Sequence, residues 1–378
     1  FSSPGCNPVP RILDPATSSA IVDSHGTQLT RRNWGADVAL IRGLAPQQHL
    51  IIRDCSGKVP CYYMAAREVT VAFADIADLA PLRFASFTID TQYLAAFISW
   101  TQLQIRRTAL REVTEVLAGD CVEVRGNARN QHSIWDPREV CATRLVNSHS
   151  EARSLLRETT QACIDSWVQV FPNVLHALSG GLDSAIVLGC LKRAPALQQV
   201  TCVNFHSATV GDDERRFARR AAAFNDVILK EQERTYDERL FDARLLLEPK
   251  TSKPTLTALF DIDERAFNER IARPIGPASM WTGEGGDHLF LAMKSICGAV
   301  DHVANRGFCL ETLSEISNAA RLSGIPFWSV LKAVSSSARR RRVSELDQLF
   351  RPDLAFLSPQ ALPTSPVDFL ASPWMTSA

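Results

Sequence analysis

The chain has no charge excess: 41 Lys and Arg against 41 Asp and Glu leave a formal net charge of zero over 378 residues. Gripping nucleic acid or an anionic membrane surface needs a basic surplus, so both are set aside as main tasks. No apolar run is long enough to cross a bilayer. The most apolar long stretch, residues 163–182, is broken by Asp165, Pro172 and the Gly180-Gly181 pair. Among the ten cysteines there is no CxxC and no Cys/His cluster at metal-ligand spacing. They are scattered, often within apolar runs such as Val200-Thr201-Cys202-Val203. Buried, reduced thiols of a cytoplasmic protein fit this better than a disulfide framework. Targeting segments, internal repeats and low-complexity tracts are also missing. The chain opens on Phe1 rather than Met, and further segments are expected at its ends.

What remains is ordinary globular composition, 46% hydrophobic and 22% charged, enough for real cores in two or three domains. Up to about residue 149 the pattern is β-rich. Apolar runs at 49–54, 61–64 and 69–74 predict strands, and residues 93–106 predict a helix. A turn and strand follow over 116–124, residues 125–131 read as a polar loop, and Trp135-Asp136-Pro137 closes the unit. From about residue 150 the rhythm changes. Residues 150–170 predict an amphipathic helix with Leu155, Leu156, Ile164 and Val168 on its apolar side. A strand over 174–178, a helix over 185–192 and a strand over 199–205 then form the strand–helix–strand signature of a parallel α/β sheet. A charged helix over 212–224, a short strand over 278–282 and helix over 310–350 complete the pattern. The Arg339–Arg342 run reads as a solvated helix face rather than a site for an acidic partner.

Two glycine turns carry the chemistry. Leu178-Ser179-Gly180-Gly181-Leu182-Asp183-Ser184 follows an apolar strand and opens a helix. Its glycines let the backbone approach an anion, Ser179 and Ser184 add hydroxyls, and the helix start supplies free N–H groups and a positive dipole end. Asp183 would repel phosphates unless a Mg²⁺ ion lay between, so its presence implies metal–pyrophosphate binding. A bare Ser-Gly-Gly could be an ordinary tight turn, but the full run in this context reads as a phosphate site. The second turn, Thr282-Gly283-Glu284-Gly285-Gly286-Asp287-His288, also follows a strand. Neighbouring strand ends would aim both turns into one crevice. Asp287 is then a second Mg²⁺ ligand facing Asp183, and Glu284 is placed to take a proton from an amine. His288 is as well suited to a structural or substrate-facing role as to catalysis.

The run Ser179–Ser184 followed by the Gly283–Asp287 turn resembles the synthetase domain of the asparagine synthetase superfamily. Arg53-Asp54-Cys55-Ser56-Gly57, continuing to Pro60 and Tyr62-Tyr63, is similar to a segment of that superfamily's N-terminal glutaminase-like domain, as are Gly119 and Trp135-Asp136-Pro137. The resemblance implies an α+β, sandwich-like, Ntn-type domain over residues 1–149. An α/β parallel-sheet ATP-pyrophosphatase (PP-loop) synthetase domain would then fill 150–378, with its C-terminal end expected to be incomplete. Three features point to one branch. Cys6 is internal, after Phe1-Ser2-Ser3-Pro4-Gly5, whereas a glutaminase needs a terminal cysteine nucleophile. The second turn ends Gly286-Asp287-His288, resembling lasso peptide cyclases. The acidic-then-aromatic helix start at 211–219 resembles those cyclases and the β-lactam synthetases.

The resemblance implies an ATP-dependent ligase that adenylates an Asp or Glu side chain of a precursor peptide and joins it to the peptide's N-terminal amine, releasing AMP and pyrophosphate. ATP and Mg²⁺ are the expected cofactors; a leader peptidase and a leader-recognition protein are the expected partners. Asp183, Glu284, Asp287 and His288 are the expected catalytic residues. Leu178, Ser179, Gly180, Gly181, Leu182, Asp183, Ser184, Phe205 and Gly283 are expected at the nucleotide, with Phe205 equally readable as core. Relatives use a C-terminal lysine, and no lysine here, Lys332 being the last, matches it. A small-molecule amide synthetase and a non-catalytic peptide scaffold remain the competing readings, the latter disfavoured by three clustered acids.

Overall fold

The computed structural model describes residues 13–43, 48–66, 68–82, 86–99, 105–142, 146, 148–206, 213–233, 271–276, 278–286 and 296–339. Its first part runs α1 (Pro15–Asp23), α2 (Thr27–Arg32), β1 (Val38–Arg42), β2 (Gln48–Arg53), β3 (Tyr62–Ala66) and β4 (Val69–Phe73). A 3₁₀ turn (Ile76–Leu82), α3 (Thr91–Ser99), β5 (Val113–Glu115), β6 (Asp120–Arg125), β7 (Ala128–Ser133) and α4 (Pro137–Ala142) follow. Two antiparallel sheets form, ordered β1-β2-β6-β7 and β4-β3-β5. Strand alternation decides which face each side chain meets. Ile51, Val122 and Val124 point between the sheets to meet Cys61, Val116 and Tyr63. Their neighbours Leu50, Ile52 and Cys121 point the other way, under Ile21 and Val22 of α1. The result is a sandwich with helices on one outer face.

Arg53 and its sequence neighbours build a buried corner of this sandwich. The guanidinium donates to Glu115 Oε1 (2.7 Å), to the Val116 and Val59 carbonyls (both 2.8 Å) and to the Gly57 carbonyl. The Asp54 carbonyl accepts from Gly57 and Gly119 N–H, and Gly119, at φ 72°, packs against Trp135. The residues that resemble the family's N-terminal segment therefore meet in space as architecture.

Two expectations for this half fail. Residues 125–131 form a hairpin rather than a polar loop. Arg125 pairs with Ala128 across Gly126-Asn127, with Gly126 at φ 57°, and β7 continues to Ser133. The Gly-Asn pair is a two-residue hairpin turn, and the polar strand beyond it lies at the sheet edge, where polarity is tolerated. The helix expected to reach residue 106 is α3, which starts where Asp90 Oδ1 accepts the Tyr93 N–H at 3.0 Å. Beyond it, Arg107 is already extended, bridging Thr114.

The second part runs α5 (His149–Val170), β8 (Asn173–Ala177), α6 (Leu182–Leu191), β9 (Gln199–His206), α7 (Arg215–Phe224) and β10 (Ile228–Glu233). After α8 (Arg273–Ile275) and β11 (Ser279–Trp281) come α9 (Cys297–Arg306), α10 (Leu310–Ser323) and α11 (Phe327–Arg339). The sheet is wholly parallel, ordered β10-β9-β8-β11. Ile164 and Val168 of α5 pack with Val174, Cys190 and Leu191. Leu188 of α6 meets Ala218 and Ala222 of α7 over Cys202. On the opposite face Leu175 and Val203 meet Ile271.

The apolar side of α5 is narrower than its sequence suggests: Ile164 and Val168 are buried, but Leu155 and Leu156 are 43% and 50% exposed. Only the last turns of α5 lie on the sheet. The stretch expected to be helical over 310–350 is helical through Arg339, as two helices, α10 and α11, separated at Gly324, φ 70°, before Pro326. Glycine accepts the left-handed cap and proline cannot continue a helix. Residues 340–350, and so all but Arg339 of the arginine run, lie outside the described residues. Among the described residues no helix is long and apolar enough to cross a membrane.

Candidate functional site

In the parallel sheet, β9 and β10 extend to one side of β8 while β11 lies on the other. The strand order thus reverses beside β8, and in open α/β sheets the crevice at the carboxyl ends of such strands is the ligand site. Both glycine turns leave from that edge. Residues 178–181 connect β8 to α6, and residues 282–286 leave β11.

The first turn is tightly wired. The Ser179 hydroxyl lies 3.0 Å from the Ser184 hydroxyl and accepts the Gly181 N–H at 3.2 Å, while Ser184 Oγ donates to the Gly181 carbonyl at 3.1 Å. Gly180 sits at φ 106°, a region open to glycine. A β-carbon there would stand 2.7 Å from the Glu214 carbonyl, just before α7. No side chain caps α6 at Gly181, so its first N–H groups stay available to an anion. Asp183 lies in the first turn of α6 and is partly buried.

The second turn rests directly on the first. A β-carbon on Gly283 would stand 2.5 Å from the Ser184 nitrogen, and one on Gly286 would overlap the Asp183 carboxyl group. Glycine at 283 lets the two backbones close, and glycine at 286 leaves the Asp183 carboxyl group room against the second turn. Glu284 is exposed at the top of the turn, its N–H donating to Thr282 Oγ1 at 3.3 Å. Asp287 and His288 lie outside the described residues.

Two other expected residues are placed in the core. Leu178 is fully buried, its N–H donating to the Val203 carbonyl at 2.8 Å. Phe205 is half-buried against Leu175, Val203 and Ile271. Leu182, by contrast, is 74% exposed at the start of α6.

Two residues passed over in the sequence hold this site from below. Asn204 on β9 is buried, and its Nδ2 donates to the Leu178 carbonyl at 2.8 Å and the Ser179 carbonyl at 3.1 Å. His176 on β8 is completely buried, with Nε2 donating to the Ser184 carbonyl at 2.8 Å. Burial pushes the His176 imidazole below its usual range, with the Ser184 bond acting in the opposite direction. Each is a lone polar residue inside an apolar strand, Val174–Leu178 or Cys202–Phe205, and that interruption is the signal that could have found it.

A parallel α/β domain with a glycine turn feeding a helix at its switch point defines a nucleotide-phosphate-binding class. Residues 151–354, more than half of the chain, match the asparagine synthase family, and the chain belongs to that family of ATP-dependent amide-forming ligases. No curated protein matches the chain significantly. Among solved structures, it is similar to an NH3-dependent NAD synthetase from Campylobacter jejuni in complex with nitrate. That match has 17% identity and a TM-score of 0.28, and covers 52% of this chain and 91% of that one. A glutamine-dependent NAD+ synthetase from Acinetobacter baumannii in complex with ADP is also similar, at 12% identity and a TM-score of 0.27. It covers 68% of this chain and 52% of that one.

Proposed function

We propose that the protein is a lasso peptide cyclase: it activates a side-chain carboxyl of a precursor peptide with ATP and closes it onto the peptide's own N-terminal amine. The observation that carries the adenylating part is the contact of the two glycine turns, with Asp183 seated on Gly286 at the switch point. The cyclase branch is supported by the Gly286-Asp287-His288 sequence and by the helix start at 211–219.

A carboxylate is a poor acyl donor, so its oxygen first attacks the α-phosphorus of ATP and pyrophosphate departs. The uncapped N–H groups of α6 and the exposed Ser179 hydroxyl would hold that leaving charge, with the buried Ser184 hydroxyl bracing Ser179 at 3.0 Å. A carboxylate beside an anion-binding helix start is the donor chemistry of a hard divalent cation, so the residues fit Mg²⁺, with Asp183 and Asp287 to hold it. When bound, Mg²⁺ neutralises phosphate charge. The amine then attacks the mixed anhydride and AMP leaves, with Glu284 placed to accept the amine's proton. Because both reacting groups belong to one peptide, the entropic cost of bringing them together is met by holding it folded. The N-terminal sandwich, in this reading a glutaminase-like domain, serves to dock that peptide.

The test is incubation with ATP, Mg²⁺ and a linear precursor peptide with a free amine. AMP and pyrophosphate should form, and the peptide should lose one water. ADP and phosphate as products would overturn adenylation. Amidation of free aspartate while peptides stay linear would instead return the chain to the family's small-molecule branch. Asp183→Asn should lower turnover at least about tenfold with the fold retained.

A further inference from the structure

Beyond the second glycine turn, the helical segment 296–339 brings together three side chains that the sequence spacing did not reveal. His302 of α9, Cys309 in the connection and Glu311 of α10 place one ligand atom each within 4.8 Å of one another, with His302 Nε2 3.8 Å from Cys309 Sγ. We propose that these residues form a binding site for a thiophilic divalent cation of the zinc type. Tetrahedral zinc with ordinary Zn–S and Zn–N bonds sets those two atoms about 3.5 Å apart, so they need to close by only a few tenths of an ångström.

The frame around the cluster is already fixed. Gly307, at φ 73°, turns the chain back from α9. The Cys309 N–H donates to Thr312 Oγ1 at 3.0 Å, and that hydroxyl in turn donates to the Gly307 carbonyl at 3.0 Å. Thr312 is fully buried, and its backbone N–H caps onto the Cys309 sulfur. Beneath the turn, Ala299 and Val303 of α9 pack on Ile316 of α10 and Val330 of α11. The thiol therefore sits at a determined place.

The donor set selects the ion. One sulfur, one imidazole and one carboxylate suit zinc and its neighbours, whereas Mg²⁺ and Ca²⁺ take oxygen ligands. Cys309 and Glu311 are exposed, leaving a fourth position for water. The present partner of Glu311 is Arg306, at 3.1 Å with both side chains exposed. An exposed pair of this kind is weak and yields readily to a divalent ion. Bound metal would tie α9 to α10 and stabilise the helical segment by mass action.

The experiment is cobalt titration of the reduced, chelator-stripped full chain. A thiolate-to-cobalt charge-transfer band should appear, saturate at equimolar metal and be displaced by Zn²⁺. Cys309→Ser should abolish it with the fold kept, since serine is a favoured helix cap. His302→Ala should weaken cobalt binding at least about tenfold, the scale of a lost anchoring interaction. Cys297→Ser, which removes the other exposed thiol among the described residues, should leave the band intact. No band in the unmodified chain, a band that survives Cys309→Ser, or unchanged affinity in His302→Ala would each overturn the site.

Discussion

The carboxyl group of Asp183 occupies the space where a side chain on Gly286 would begin. The relationship fixes how closely the two turns approach, and it makes residue 286 a steric reporter for the site. Gly286→Ala must turn the Asp183 carboxyl group out of its place or push the turns apart. Overpacking of this kind costs about 1–3 kcal/mol, and a displacement near 1 Å at reacting groups costs about 100-fold in rate. The expected outcome is a large fall in ATP–pyrophosphate exchange with a melting temperature lowered by only a few degrees. Near-normal exchange in this variant would mean that the contact does not govern the chemistry.

Asn204 should prove as important to the site as any residue on the turns. Its amide is the donor that both the Leu178 and Ser179 carbonyls share, from a fully enclosed position on β9. Asn204→Leu is nearly isosteric but leaves the buried Leu178 carbonyl without that donor, at about 1–3 kcal/mol, and also frees the part-buried Ser179 carbonyl. Urea unfolding should register the loss, and nucleotide binding should weaken by more than the stability change explains. Asn204→Asp should be worse still, since it aims a carboxylate at two carbonyl oxygens.

The fold of the second half was legible because strands, helices and glycine turns there follow local rules. The hydrophobic runs gave β8 and β9, and the glycine placement gave the turn before α6. Register was not legible: nothing local says that β11 pairs with β8 rather than with the outer edge of β10. The contact of Gly286 with Asp183 depends on that pairing. In the first half, β7 was missed because its polar residues suit a sheet edge, and the Gly126-Asn127 turn was the overlooked clue. The cluster of His302, Cys309 and Glu311 escaped notice because its members are brought together by a glycine turn between helices rather than by a fixed motif.

His176 gives the protein a predictable acid sensitivity. Its imidazole is held neutral by burial, below the usual value of 6.5, while the unfolded chain protonates normally. The unfolded state therefore binds the extra proton as pH falls. Stability contributed by His176 is complete above about pH 6.5 and declines below it, by up to about 1.4 kcal/mol per pH unit. Denaturation curves at pH 7.5 and 5.5 should show a larger loss for the unmodified chain than for His176→Gln. An equal loss in both would locate the acid sensitivity elsewhere.

Arg53 should behave as a keystone of the sandwich and not as a catalytic group. Its guanidinium serves Glu115 and the carbonyls of Val59, Val116 and Gly57 from a position 8% exposed. Three of its nitrogens donate, in the planar fork that only arginine offers. Arg53→Lys keeps the charge but cannot reach four acceptors in three directions, so the substitution is not conservative here. Arg53→Met removes the cation that pairs with buried Glu115 at 2.7 Å, and breaking a buried ion pair costs about 3–5 kcal/mol. The double variant Arg53→Met/Glu115→Leu removes both charges and should recover part of that loss. Thermal unfolding of the full chain checks the order: unmodified chain highest, then Arg53→Lys, with Arg53→Met lowest and the double variant above it. A double variant no more stable than Arg53→Met would show that the carbonyl contacts, rather than the ion pair, hold the corner together.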